Sequence, residues 1–343
     1  MPTAVTPPRG ATTPRPRTPR TSPPPRRRTS RLEAIPASAA TRRRALGPAA
    51  LRGEVRSTPG KAYTGPTHPS AKEQDVIEGV KHIVAVASGK GGVGKSTVTV
   101  NLALAMAAEG YRVGVLDADI HGPSQAQMLG VGEGVRPEAA GENRMRPLEA
   151  HGIQAMSMAF MVDIREPMVW RGPMVAGAFQ QLLTQTVWDD LDYLFIDMPP
   201  GTGDIQLTLA QKVPVDGAVI VTTPQDIALL DARKGIEMFR KVNVPVLGVV
   251  ENMSLHVCSA CGHAEPIFGE GGGERIAAEY ETRVLGRLPL ALSIREQVDG
   301  GRPTVVAEPE GEVTATFRAM ARQVAEQVQQ QEQGGPSISF SKE

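Results

Sequence analysis

The sequence is poor in cysteine, in aromatic side chains and in long apolar runs. Its 343 residues include two cysteines and two tryptophans, and only 4% of them are aromatic. Two cysteines in a chain without a secretory signal exclude a disulfide framework and favour a metal or redox role in a reducing compartment. No run approaches the ~18 apolar residues that a membrane span needs. We therefore expect a cytoplasmic protein that does not insert into a membrane.

The net charge is zero, but the charge is unevenly distributed along the chain. Residues 1–60 contain thirteen arginines and two acidic residues, so they carry +11 and the remainder carries −11. An acidic body is poorly suited to bind a polyanion. We therefore expect no DNA partner for the folded part.

Residues 1–75 are predicted to form a disordered basic segment. Fourteen of the 29 prolines lie in residues 1–70, among runs of arginine that cannot build a core. An Arg-rich, acid-poor N-terminus also resembles an organelle transit peptide, which would place the protein in an organelle matrix, although the prolines disrupt the amphipathic helix of such a peptide. A dispensable tail and a tail that touches RNA or anionic lipid remain alternatives.

Residues 76–330 are predicted to form one α/β domain. Short, almost continuously apolar runs alternate with helical patterns such as Gly172–Val187, as expected of parallel strands buried on both faces. This alternation predicts a doubly wound, mostly parallel sheet, which binds ligands at the carboxyl ends of its strands. A helix over Glu312–Gln330 is predicted to pack on the sheet, and residues 331–343 to form a disordered tail. The predicted strands are Ile83–Ala87, Val113–Leu116, Ile153–Met156, Tyr193–Ile196, Ala218–Val221, Val246–Val250 and Val284–Leu288.

The residues Gly89–Thr97 fit the phosphate-loop pattern G-x-x-x-x-G-K-[ST]. Lys95 is predicted to reach the β- and γ-phosphates, and the Ser96 hydroxyl to ligate Mg²⁺. The same residues also fit a dinucleotide-binding fingerprint, but Lys and Ser directly after Gly94 are needed only for a triphosphate with Mg²⁺. The predicted phosphate-binding residues are Gly89, Lys90, Gly91, Gly92, Val93, Gly94, Lys95, Ser96 and Thr97.

Two carboxylates follow predicted strands and therefore belong to the same edge of the sheet. Asp197 ends an apolar run, which is typical of the second acidic residue of a phosphate-loop NTPase, where the carboxylate reaches Mg²⁺ through water. Asp119 would position the attacking water. Either residue would alternatively only cap the element that follows it.

Lys90 is a second lysine inside the loop, and it resembles the deviant Walker A motif of the MinD/ParA-like class. Five further motifs resemble the Mrp/ApbC family of P-loop iron–sulfur cluster carrier ATPases, a resemblance that covers roughly residues 78–328. These motifs are Leu116–Ser124, Val169–Pro173, Asp197–Asp204, Thr223–Asp226 and Glu251–Ser254.

The family resemblance implies a role for each motif. Lys90 would reach across a homodimer to the nucleotide of the partner, and Asp119 would lie near the attacking water. Asp197 would lie on the Mg²⁺ side, and Asn252 would contact the adenine. Lys90, Lys95 and Asp119 would then be the catalytic residues of a weak ATP hydrolase.

Cys258 and Cys261 form a C-x-x-C motif. A [4Fe–4S] cluster needs four thiolates, so two chains related by a two-fold axis would share one cluster. Three alternatives remain. The same four sulfurs would also hold zinc between two chains, and a single chain would form a Cys₂His₂ zinc site with His256 and His263. In the third alternative the two cysteines act without a metal, as a redox dithiol. The resemblance favours a labile cluster that bridges a homodimer. We expect the two histidines to be solvated or to support the thiolate ligands, and not to bind the metal themselves.

These motifs favour a homodimer that binds ATP and Mg²⁺, hydrolyses ATP slowly, and passes an iron–sulfur cluster to apoproteins. Three alternatives stay open at this point. They are a ParA/MinD-like positioning ATPase, a zinc-stapled nucleotide switch and a dinucleotide-dependent oxidoreductase.

Overall fold

The structure is a computed structural model that describes residues 76–120, 122–132, 134–160, 172–258 and 260–334. Three sequence predictions therefore lie outside the described residues: the disordered segment 1–75, most of the tail 331–343, and residues 169–171 of the second family motif. His121 and Ser259 lie outside them as well.

The described chain contains ten strands, of which eight form one sheet and two form a hairpin. The strands of the sheet are β1 (Val80–Ala87), β2 (Val113–Asp117), β3 (Leu148–Ala150), β4 (Ile153–Ser157), β5 (Leu191–Asp197), β6 (Gly217–Thr222), β7 (Val246–Glu251) and β10 (Val284–Arg287), and the hairpin strands are β8 (His256–Val257) and β9 (Ala264–Glu265).

The sheet has the order β10-β7-β6-β1-β5-β2-β4-β3, with β1 in the interior between β5 and β6. Its pairs are parallel except β3–β4. Every residue of β2 and of β6 is buried, as expected when helices cover both faces of a parallel sheet. The predicted doubly wound α/β fold is confirmed, and all seven predicted strands are present.

Three strands escaped the sequence prediction. β3 is an antiparallel edge strand of three residues, none of them fully buried. β8 and β9 have two residues each, too few to show a period in the sequence.

Nine α-helices lie among the described residues, and a 3₁₀ turn spans Met158–Phe160. The helices are α1 (Lys95–Ala108), α2 (Gln125–Met128), α3 (Gly172–Gln185), α4 (Asp204–Lys212), α5 (Asp226–Lys241), α6 (Gly272–Glu279), α7 (Leu292–Asp299), α8 (Thr304–Ala307) and α9 (Glu312–Gly334).

Helix α9 packs on the sheet beside α1, as predicted, through an apolar stripe that includes the buried Phe317, Met320 and Val324. It runs to Gly334 and not only to Gln330. The first four residues of the predicted tail are therefore helical, because glutamine and glutamate favour helix even where no apolar face continues.

The described helices include none whose length and apolar content would let it cross a bilayer.

Candidate functional site

The phosphate loop connects β1 to α1, which begins at Lys95. Gly92 and Gly94 have φ angles of +81° and +83°, a left-handed conformation that side chains disfavour. A Cβ on Gly94 would lie 2.2 Å from Nδ2 of Asn252, and a Cβ on Gly89 would lie 2.0 Å from the carbonyl oxygen of Asp231. Glycine at these positions is therefore required by backbone conformation and by close neighbours.

Lys95, Ser96 and Asp197 come together at the carboxyl ends of the central strands. Nζ of Lys95 contacts a carboxylate oxygen of Asp197 and lies 3.2 Å from Oγ of Ser96. Lys95 is 6% exposed and Asp197 is fully buried, so the pair is shielded from solvent. Thr99 donates to Oδ1 of Asp197 at 3.1 Å, and Gln125 donates to its Oδ2 at 2.9 Å.

Sequence reasoning missed Thr99 and Gln125. Thr99 lies one helical turn after Lys95, whose carbonyl oxygen its hydroxyl also contacts at 2.9 Å, so its spacing was a usable signal. Gln125 follows the family motif Leu116–Ser124 and carries no signal in the sequence that separates it from any exposed glutamine.

Asp117 is a buried carboxylate that holds the loop after β2. It lies opposite Asp197 in the register of β2 and β5. It accepts backbone N–H groups from Asp119 at 3.1 Å, Ser124 at 2.9 Å and Gln125 at 3.0 Å. Burial, and then the nearby carboxylate of Asp197, raise the pKa of Asp117 to about 7, although the N–H groups of Gln125 and Asp119 act in the opposite direction.

Asp119 lies in the loop that Asp117 holds and is 8% exposed. Its Oδ1 accepts the backbone N–H of Gly122 at 3.2 Å, so the carboxylate caps a local turn. No hydrogen bond among the described residues joins Asp119 to Lys95 or Asp197. Its predicted role beside the attacking water stays a prediction.

The Lys90 side chain is half-buried, and it forms no hydrogen bond or ion pair with a described residue. Its carbonyl oxygen accepts the Ser88 hydroxyl at 2.9 Å. The carbonyl of Ser88 in turn accepts the N–H of Gly201 at 2.9 Å, which ties the phosphate loop to the loop after Asp197. The backbone of Lys90 is therefore fixed while its ammonium is not engaged by the described part of the chain.

Asn252 follows β7 and supports the phosphate loop directly. Its Nδ2 donates to the carbonyl oxygen of Val93 at 2.8 Å, and its Oδ1 accepts the N–H of Met253 at 2.9 Å. Met253 has a φ of +56°, which is uncommon for a residue with a side chain. The predicted contact of Asn252 with adenine is not tested by these bonds and stays a prediction.

Cys258 and Cys261 lie in the turn between β8 and β9, and both thiols are free. The N–H of Cys258 donates to the carbonyl oxygen of His263 at 2.9 Å, and the N–H of Gly262 donates to the carbonyl oxygen of Cys258 at 2.8 Å. Cys261 is exposed and Cys258 is half-buried. The backbone N–H groups of Ala260 and Cys261, followed by the Cys261 side chain, lower the pKa of the Cys258 thiol.

His256 anchors this hairpin to the rest of the domain. Its Nδ1 lies 3.1 Å from the carbonyl oxygen of Leu290, and His263 is exposed. No group of three or more His, Cys, Asp or Glu side chains placed to hold a metal occurs in the part of the chain that the structure describes. The Cys₂His₂ zinc alternative within one chain stays a prediction.

Comparison with known proteins places most of the domain in one family. The model of the ParA-class family described as "NUBPL iron-transfer P-loop NTPase" matches residues 79–325. An "Iron-sulfur cluster carrier protein" of Pseudomonas fragi is 65% identical over 254 residues, which are 74% of this chain and 88% of that protein. The "Iron-sulfur cluster transfer protein NUBPL" of Mus musculus is 52% identical over 254 residues, which are 74% of this chain and 79% of that protein.

Solved structures resemble the same part of the chain. A nucleotide-binding protein from Archaeoglobus fulgidus in complex with ADP is 37% identical, with a TM-score of 0.60 over 70% of this chain and 93% of that one. The cell division ATPase MinD of Pyrococcus furiosus is 24% identical, with a TM-score of 0.53 over 71% of this chain and 98% of that one, and this similarity concerns the fold alone.

Proposed function

The chain belongs to the family of NUBPL iron-transfer P-loop NTPases, and from that premise we propose that it binds an iron–sulfur cluster through Cys258 and Cys261 and transfers it to apoproteins under the control of ATP. The observation that carries the proposal is a pair of free thiols, one exposed and one half-buried, in the same domain as a complete phosphate loop. Relatives named as iron–sulfur cluster carriers support it. In this proposal the cluster is the cargo and the recipient apoproteins are the partners.

The cluster is proposed to bridge two copies of the chain. One chain offers two thiols and a [4Fe–4S] cluster takes four, so a homodimer completes the ligand set. Three apolar side chains flank the cysteine turn with large exposed fractions: Leu255 (37%), Val257 (50%) and Ile267 (50%). A second copy that covered them would remove apolar surface from water. The Lys90 ammonium, which no described residue engages, is proposed to reach the nucleotide of the same partner.

The nucleotide is proposed to be ATP, held by residues 89–97. Mg²⁺ would be held by the Ser96 hydroxyl and, through water, by Asp197, since oxygen ligands are those that Mg²⁺ prefers. The ion would offset charge on the β- and γ-phosphates. Lys95 already lies beside Ser96 and is placed to offset the charge that develops on the phosphoryl oxygens.

Hydrolysis is proposed to be slow. Oδ1 of Asp119 accepts the N–H of Gly122, and no hydrogen bond among the described residues joins the carboxylate to Lys95 or Asp197. A carrier does not need rapid turnover, because the nucleotide state can govern the metal site by binding alone.

Anaerobic reconstitution with iron and sulfide tests the cargo. We expect a broad absorbance near roughly 400 nm and about two iron atoms per chain, as one cluster between two chains requires. The Cys258→Ser/Cys261→Ser variant should lose both signals, and His263→Ala should keep them. Absorbance that survives in the double cysteine variant, or stoichiometric zinc without iron in the purified protein, would contradict the proposal and favour a zinc-stapled switch.

Cluster transfer is tested with an apoenzyme that is active only with a [4Fe–4S] cluster. The reconstituted protein should restore its activity at a rate that depends on added Mg²⁺–ATP, and Lys95→Ala should abolish the dependence on nucleotide. Hydrolysis that is stimulated by liposomes or DNA and is unaffected in the double cysteine variant would instead favour a ParA/MinD-like positioning ATPase.

A further inference from the structure

Gln125 is a buried polar side chain inside the nucleotide site. It is the first residue of α2 and is only 1% exposed. Its backbone N–H is held by Asp117, which directs the side chain toward the start of α1. A glutamine this deeply buried needs partners for both ends of its amide.

The orientation of the amide is determined by chemistry. Nε2 donates to Oδ2 of Asp197 at 2.9 Å and to the carbonyl oxygen of Ser96 at 3.0 Å. Both partners are acceptors, so a rotated amide would place its oxygen against a carboxylate and a carbonyl. The nitrogen must face Asp197 and Ser96, and this fixes the direction of Oε1.

Oε1 of Gln125 is the one fully buried side-chain polar atom without a hydrogen-bond partner among the described residues. An orphaned buried acceptor is costly, because the hydrogen bonds that it made to water in the unfolded chain are not replaced. A residue with a purely structural role would be expected to pair both ends of the amide. The unpaired oxygen therefore marks a position where a hydrogen-bond donor is missing from the protein itself.

We propose that Gln125 is a positioning residue for Mg²⁺, with Nε2 fixing the Asp197 carboxylate against the start of α1 and Oε1 accepting a hydrogen bond from a water molecule in the hydration shell of the cation. The inference rests on the proposed binding of Mg²⁺–ATP at this site. Mg²⁺ usually keeps several of its waters, and a water bound to a cation is a strengthened donor. The residues present fit this role, because Nε2 of Gln125 donates to Asp197 and to the carbonyl oxygen of Ser96, and these are the two residues proposed to hold the ion.

The test compares two glutamines of the same short helix. Gln125→Met removes both polar ends of a buried side chain, and Gln127→Met makes the same change on an exposed one. A fluorescent ATP analogue is titrated first in EDTA and then at fixed nucleotide with increasing Mg²⁺. We expect the apparent Mg²⁺ affinity of Gln125→Met to fall about tenfold, as is typical when an outer-shell partner is lost. Its nucleotide affinity in EDTA, and both affinities of Gln127→Met, should stay unchanged.

A conservative variant separates the role at the cation from a role in folding. Gln125→Asn keeps both ends of the amide but draws them back by one methylene, so it should weaken Mg²⁺ binding without weakening nucleotide binding in EDTA, and it tests the inference even if Gln125→Met does not fold. An unchanged Mg²⁺ affinity in either variant, or equal losses with and without Mg²⁺, would overturn the inference alone. A wild-type protein that binds no nucleotide would overturn the proposed role of ATP, and this inference with it.

Discussion

Single residues of the site were predictable where a short motif carries them. Lys95, Ser96 and Asp197 lie in recognisable patterns, and the structure brings them into contact. Gln125 gained its role only from the fold, because it meets Asp197 across 72 positions of the chain. No local pattern encodes a contact of that span.

The buried carboxyl of Asp117 makes stability depend on pH. Its pKa is raised from 3.8 to about 7, so the folded state binds the proton more tightly than the unfolded state. The stabilisation is present below pH 4 and is lost as the pH rises to 7, on the order of 3–4 kcal/mol in total. In Asp117→Asn, which cannot ionise, the deficit in unfolding free energy relative to wild type should therefore shrink between pH 4 and 7.

Urea unfolding at several pH values measures this difference. The exposed Glu310→Gln serves as the control, and its curve should run parallel to that of the wild type. A deficit of Asp117→Asn that stays constant from pH 4 to 7 would show that Asp117 is ionised throughout.

Cys258 should react as a thiolate at lower pH than an ordinary cysteine. Backbone N–H groups of Ala260 and Cys261 stabilise its anion and lower its pKa. In the metal-free protein, alkylation of Cys258 by iodoacetamide should reach half its maximal rate at a lower pH than in the same chain unfolded in urea. Peptide mass spectrometry resolves the two cysteines, and coincident pH profiles in the folded and unfolded chains would contradict the prediction.

Among the elements, those with a long periodic pattern were predictable and those defined by pairing were not. β1, β5 and the other interior strands are continuous apolar runs, and their prediction is confirmed. The hairpin of β8 and β9 exists because Val257 pairs with Ala264 and because His256 contacts Leu290, and neither pairing leaves a period in the sequence. The sequence therefore identified the cysteine turn through its C-x-x-C motif, but it did not predict the hairpin that carries the turn.

Two glycines of the phosphate loop allow the cost of a left-handed backbone to be measured separately from the cost of steric overlap with a neighbouring side chain. Gly92 and Gly94 have nearly the same φ, but a Cβ on Gly92 meets no atom within 4 Å, whereas a Cβ on Gly94 meets Asn252. Gly92→Ala should cost about 1 kcal/mol of unfolding free energy for its left-handed backbone. Gly94→Ala should cost more, because Asn252 must also release the carbonyl oxygen of Val93.

Urea unfolding without nucleotide measures both costs. Combining Gly94→Ala with Asn252→Ala should remove the steric part, so the two changes should be less than additive. Equal costs for the two single alanine variants would mean that Asn252 moves aside freely and does not hold the loop.

At the scale of the whole molecule, α9 is linked to the phosphate loop through its packing against α1. It packs beside α1, the helix that begins with Lys95, and Glu109 at the end of α1 contacts both Arg318 and Arg322. These arginines lower the pKa of Glu109. The apolar stripe of α9 predicted that this helix packs on the sheet. The stripe does not specify which face of the sheet the helix covers, so the sequence did not identify α1 as its neighbour.

Phe317→Ala should destabilise the domain through this contact. Phe317 is 1% exposed within the apolar cluster that includes α1, so its loss leaves a cavity that costs about 3–5 kcal/mol. The matched control is Glu326→Ala on the exposed side of the same helix. Thermal unfolding should show a large fall in Tm for the first variant and almost none for the second, and a similar Tm for both would mean that α9 is dispensable for the core.

The position of α9 also constrains how the chain folds as it is synthesised. The contact of Arg318 with Glu109 spans 209 positions, and Val84 of β1 pairs with Gly217 of β6. Contacts of such span close slowly, because the chain entropy of the loop is lost before the contact forms. At a translation rate of about 5–20 residues per second, α1 leaves the ribosome roughly ten seconds or more before the helix that covers it. During that interval the face of α1 that α9 later covers is open to solvent, so the helix that starts at the phosphate loop completes its packing only when the end of the domain has been made.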